Sequence, residues 1–216
     1  MMRRILHELG HHLPWTAGGA VLGILLLVPL GRLPESVALR MFELFHPLHV
    51  FASAAATAGM YGLYRRDEGR RPPLLPLVLL GYVGAVGIGT LSDSLIPFLG
   101  ERLVGLHHAH AHIGFIELWY LVNPAALAGI AVAWFRPATK LPHAGHVLLS
   151  TVASLAHIGM ALDGTLPAVK YVGLFLFLLL AVWLPCTFSD IAFPLLFVRN
   201  RRRVSPVSSP PAARPR

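Results

Sequence analysis

Apolar residues run along this chain in blocks separated by short clusters rich in Arg, Lys, Pro and Gly. A helix needs about 20 residues to cross a hydrocarbon core of about 30 Å. Blocks near that length lie at Trp15 to Leu33, His46 to Tyr64, Leu74 to Pro97, His110 to Trp134, His146 to Asp163 and Val169 to Val198. The pattern predicts an all-α, polytopic integral membrane protein: a six-transmembrane-helix bundle over residues 15–198, with a cytoplasmic or interfacial segment at 1–14 and a basic, Pro/Ser-rich disordered cytoplasmic tail at 199–216. The first block passes Leu33 with no A-x-A cleavage pattern, so it reads as an uncleaved span. The sixth exceeds one straight crossing, and Pro185 and Pro194 predict a kink or an interfacial extension within it. Between the first two blocks, residues 34–45 mix charged and apolar positions and predict a short interfacial helix.

Composition agrees with a lipid solvent. Of 216 residues, 55% are hydrophobic and 13% charged, far from the balance of a water-soluble domain. The net charge of +8 does not imply nucleic acid, because the basic residues flank apolar blocks and no nucleic-acid motif accompanies them. Counting Lys and Arg in alternate loops gives fourteen on one side, from Arg3 and Arg4 through Arg65, Arg66, Arg70, Arg71, Arg136 and Lys140 to the tail, and four on the other: Arg32, Arg40, Arg102 and Lys170. Positive loops stay inside, so both termini are expected in the cytoplasm.

That topology gives each polar residue a depth. His46 and His49 open the second span at its outer end, Asp93 closes the third there between Ser92 and Ser94, and His107, His108, His110 and His112 precede or open the fourth. Glu117 is expected about two turns deeper, His157 in the outer part of the fifth span, and Asp163 at its end. At about 100° per residue, His46, His49, Ser53, Thr57 and Tyr64 share one side of the second helix, and His143, His146, Ser150, Ser154 and His157 one side of the fifth. Gly81, Gly84 and Gly87 would let neighbouring backbones come close. In the fourth span His110 and Glu117 fall opposite His108, His112 and Asn123; His112 is the preferred ligand there if the helix starts irregularly.

Ionisable groups in hydrocarbon cost a few kcal/mol or more unless they face protein, water or an ion. Imidazole nitrogen with carboxylate oxygen is donor chemistry for Zn, Mn, Fe, Ni or Cu. The expected metal ligands are His46, His49, Asp93, His112, Glu117 and His157, with an inner site at His143, His146 and Asp190. For the loop histidines His107, His108 and His110, hydrogen bonds to headgroups and loop carbonyls are the favoured reading. Cys186 reads as packing, and one cysteine excludes disulfide frameworks and CxxC sites. A GxSG nucleophile turn and a Walker A sequence are both absent.

Three functions suit this inventory. Transport or handling of a divalent metal ion ranks first, since polarity continues inward along two helices. A metal-dependent intramembrane hydrolase would use Zn-activated water, Glu117 as base, and Ser92 or Ser94 to orient substrate. A b-type haem would need a second-span histidine opposite His157. The expected partners are the lipid bilayer and the metal ion.

Overall fold

The structure, a computed structural model, describes residues 17–23, 25, 34–67, 69–136, 140–189 and 193–197, with the side chains of residues 67, 140–144 and 195 left out of that description. The described residues form helices and connecting turns, with no strand among them. Helix α1 spans Glu35–Asp67, and α2 is a continuous helical rod over Leu74–Val104. A short α3, Gly114–Glu117, leads into α4, Trp119–Phe135. Helix α5 spans Lys140–Met160, α6 spans Ala168–Thr187, and α7 is a single turn, Phe193–Leu196.

Helix α1 is the centre of the bundle, packed along its length between α4 and α5, with α2 crossing it. The far half of α2 turns away to lie on α5 and α6. Residues 17–23 are helical, and Ala20 joins Leu155, Ile158, Leu174 and Leu178 in one apolar cluster. A second cluster joins Phe42, Val50, Leu77, Val122 and Ile130.

Polarity in this bundle is inverted relative to a water-soluble protein. The interior of α1 and α5 is lined by Ala, Ser, Thr and His, while Leu79, Leu103, Leu127, Leu148, Leu176 and Leu180 lie exposed on the outer faces. Large apolar side chains outside and small or polar ones inside suit a lipid solvent, where helices associate through close backbone approach and internal hydrogen bonds.

Several expected boundaries move. The interfacial helix at 34–45 and the second span are one helix of 33 residues, because no residue between them interrupts the backbone ladder except Pro47, which costs one bond to the Glu43 carbonyl. Helix α2 runs beyond Pro97 to Val104, since Pro97 sits in the first turn of its last α-helical stretch, where a missing N–H is tolerated. Gly105, at φ 78°, ends it: its N–H bonds the Arg102 carbonyl and Leu106 N–H bonds that of Glu101, a left-handed cap that glycine adopts without strain. The fourth span starts at Trp119 rather than His110, after a loop over residues 105–113, so helical phase has no meaning for the loop histidines. Helix α5 ends at Met160, which leaves Asp163 in an exposed turn.

By length and composition, two helices among the described residues are able to cross a membrane, Leu74–Val104 and Ala168–Thr187, with Trp119–Phe135 and Gly145–Met160 as shorter apolar helices. The first expected span lies largely outside the described residues, as do the segment 1–14 and the tail 199–216.

Candidate metal centre

Helix α2 contains two π-helical turns, Val83–Gly87 and Leu91–Leu95. The wider i→i+5 turn leaves adjacent residues less spread around the axis than an α-turn does, a local distortion frequent at functional sites. In the second of these turns, Ser92, Asp93 and Ser94 are all buried, and all three are engaged. Ser92 contributes its carbonyl to Ser154 Oγ at 3.0 Å, Asp93 reaches α1 and α5, and Ser94 Oγ lies 3.5 Å from His157 Nε2.

Asp93 is the hub. Its Oδ2 lies 2.9 Å from His46 Nδ1 and 2.6 Å from His49 Nδ1, and its Oδ1 accepts from Ser92 Oγ and Ser150 Oγ, each at 2.8 Å. A carboxylate only accepts, so both histidines donate from Nδ1, and the lone pair of each ring is left on Nε2. Pairing a carboxylate with one ring nitrogen is how proteins fix a histidine's tautomer and orientation for a metal at the other nitrogen.

The arrangement recurs. His157 Nδ1 lies 2.8 Å from Glu101 Oε1, both side chains being buried. His112 Nδ1 lies 3.0 Å from Glu117 Oε2, and the Ile113 N–H donates to the other Glu117 oxygen at 2.8 Å. Glu117 sits before α4 and is half exposed, so the deep position expected of it is not where it lies. Partial burial pushes its carboxyl up, but the His112 and Ile113 hydrogen bonds outweigh that and hold it below the ordinary carboxylate range.

Phe42 links these pairs. It stacks on His46 with ring centroids 4.9 Å apart, meets His157 edge-on at 5.6 Å, and lies 6.2 Å from His112; His112 and His157 are themselves 5.5 Å apart. His46 Nε2 is buried without a hydrogen-bond partner, as is Glu101 Oε2. Unsatisfied buried acceptors are costly, and a nitrogen lone pair in that state suits a cation.

On the other side of Asp93, His146 stacks on His49 at 5.6 Å, and Cys186 Sγ lies 3.9 Å from His49 Nε2. Two groups of donors therefore lie close enough to hold an ion, His46 with His49 and Asp93, and His49 with His146 and Cys186, the ligand atoms of each falling within 4.8 Å of one another. Further along α1, Ser53 and Thr57 meet Ser189 at 3.4 and 3.0 Å, and Ser189 donates to the Gly84 carbonyl at 3.1 Å.

No family model, curated protein or solved structure matches this chain. The chemistry of the site therefore rests on its geometry alone.

Of the residues singled out from sequence, His46, His49 and Asp93 meet directly, whereas His157, His112 and Glu117 form neighbouring pairs rather than one shell with them. His146 lies beside His49. Asp190 and the side chain of His143 lie outside the described residues. His107, His108 and His110 are exposed in the loop. Glu101 and Cys186 were not expected. Once α2 continues past Pro97, the i+4 spacing of Asp93, Pro97 and Glu101 places Glu101 on the same face, a signal hidden by ending the helix early. Cys186 carries no such signal.

Gly114 shapes the His46 side of the centre. A Cβ there would overlap His46 Nε2 and Cδ2, and the ring, stacked on Phe42, has to leave its position. Gly114→Ala is expected to weaken metal binding about tenfold while leaving helicity unchanged. Competition against a chromophoric chelator measures this, and unchanged affinity would remove His46 from the centre.

Proposed function

We propose that this chain is a six-span integral membrane protein, both termini cytoplasmic, that transports or handles a divalent transition metal ion. The observation that carries the proposal is the recurring carboxylate-backed histidine. His46 and His49 on Asp93, His157 on Glu101, and His112 on Glu117 each have Nδ1 paired with a carboxylate, which orients the ring. These pairs run from the loop before α4, through the centre of α2, to His146 on α5, and the Ser53, Thr57 and Ser189 hydroxyls prolong the polar line. A metal cargo crossing a bilayer needs donors at several depths, because each loss of hydration has to be matched by a protein ligand. A single resident ion does not call for such a series.

The orientation of the bundle follows the distribution of Lys and Arg, which puts the His112 end outside. Lipid is the surrounding medium, and nucleic acid has no role.

Reconstituted into vesicles, the full chain is expected to carry Zn²⁺ inward down a gradient. The variant with His49, Asp93 and His157 all replaced by Ala is expected to lose that flux. Equal flux from the two proteins would end the transport proposal. Stoichiometric metal on the intact protein with no flux would instead favour a metal-dependent intramembrane hydrolase, in which the ion activates water.

A further inference from the structure

Cys186 is buried at the end of α6, among the residues that ordinary packing would fill with an aliphatic side chain. Its sulfur nevertheless points at a histidine nitrogen, at 3.9 Å from His49 Nε2, and His146 from a third helix completes the group. His49, His146 and Cys186 are each buried, and their ligand atoms lie within 4.8 Å of one another. We infer that these three side chains form a thiolate-containing metal site, selective for soft or borderline cations such as Zn²⁺, Cd²⁺ or Cu⁺.

Three features support that assignment. The first is donor chemistry: two imidazole nitrogens and one thiolate favour soft and borderline ions over Mg²⁺, Ca²⁺ or Mn²⁺. The second is preorganisation. Asp93 holds His49 through Nδ1 at 2.6 Å, so the nitrogen facing Cys186 is the one left with a lone pair. Asp93 is thereby a positioning residue for this site, its own oxygens being occupied by His46, His49, Ser92 and Ser150. The third is coordination number. Three protein ligands leave a fourth position open, as in sites that exchange what they bind.

The site deepens the metal-handling proposal and rests on it. It shares His49 with the His46 and Asp93 group, so the imidazole that Asp93 orients through Nδ1 offers its other nitrogen beside a sulfur donor. Passage toward α6 would thus select against hard cations.

The test uses the full chain purified in detergent under reducing conditions and titrated with Cd²⁺ or Co²⁺. Thiolate coordination gives a charge-transfer band in the near ultraviolet that nitrogen and oxygen ligands do not. The band is expected in the intact protein, absent in Cys186→Ser, and weakened in His146→Gln, which keeps the thiol. Cadmium affinity should fall at least tenfold in Cys186→Ser, while Mn²⁺ affinity stays unchanged. Circular dichroism and gel filtration of both variants establish that they fold. Stoichiometric metal with no charge-transfer band would overturn the thiolate site and leave the metal-handling proposal standing. No bound metal of any kind would overturn both.

Discussion

Replacing Asp93 with alanine is expected to remove most of the bound metal and to destabilise the bundle together. The carboxylate accepts from His46, His49, Ser92 and Ser150, which belong to α1, α2 and α5, and every one of these partners is buried. Losing one partner of a buried, hydrogen-bonded pair costs about 3–5 kcal/mol, because the remaining groups are left without a substitute for water. Loss of a carboxylate behind a ligating histidine lowers metal affinity about 10–100-fold. Asp93→Asn should recover little of either. Its amide presents an NH₂ group on one side, and both sides of the native carboxylate face donors. Denaturant titration in mixed micelles and elemental analysis give the two readouts. An Asp93→Ala protein with unchanged midpoint and metal content would refute the assignment of Asp93 as hub.

Gly129→Ala is expected to be nearly as damaging, with no contribution from the metal. A Cβ at Gly129 would overlap the backbone carbonyl oxygen of Phe51 and press on Ala54 Cβ and Ala55 N. Backbone cannot rotate away as a side chain can, so α4 has to move off α1 along the most extensive contact that α4 makes. Overpacking of this kind costs about 3 kcal/mol at its upper range. Ala128, the preceding residue, is exposed, and Ala128→Leu should be neutral within about 0.5 kcal/mol. Similar melting behaviour for Gly129→Ala and Ala128→Leu would mean that the two helices do not meet as closely as described.

Much of the site was readable from periodicity. The spacing of His46, His49, Ser53, Thr57 and Tyr64, and of His143, His146, Ser150, Ser154 and His157, predicts two polar faces; eight of these side chains are buried and Tyr64 is half-buried, while that of His143 lies outside the described residues. The reason is physical: in an apolar helix a recurring polar position has to face protein, so phase alone determines which way it points. Phase fails where the helix boundaries differ from the apolar blocks. Starting the fourth span at His110 instead of Trp119 makes loop histidines into helix residues and gives the half-exposed Glu117, in the short α3, a depth it does not have. Ending the third at Pro97 leaves out Glu101, which the continued helix brings to His157. Helix ends are set by caps such as Gly105 and by tertiary contacts, and hydropathy weighs neither.

By itself the sequence determined that the chain is helical, that small and polar residues line two helix faces, and that histidine and carboxylate are the available donors. Only the tertiary structure decided which donors meet. A π-turn aims Ser92, Asp93 and Ser94 together, α1 brings two histidines to one carboxylate, and α6 places Cys186 against His49, although 137 residues separate them. Periodicity records which face of one helix is polar; the adjacency of different helices depends on their packing, and packing depends on contacts such as Gly129 against Phe51 that no single-helix pattern contains.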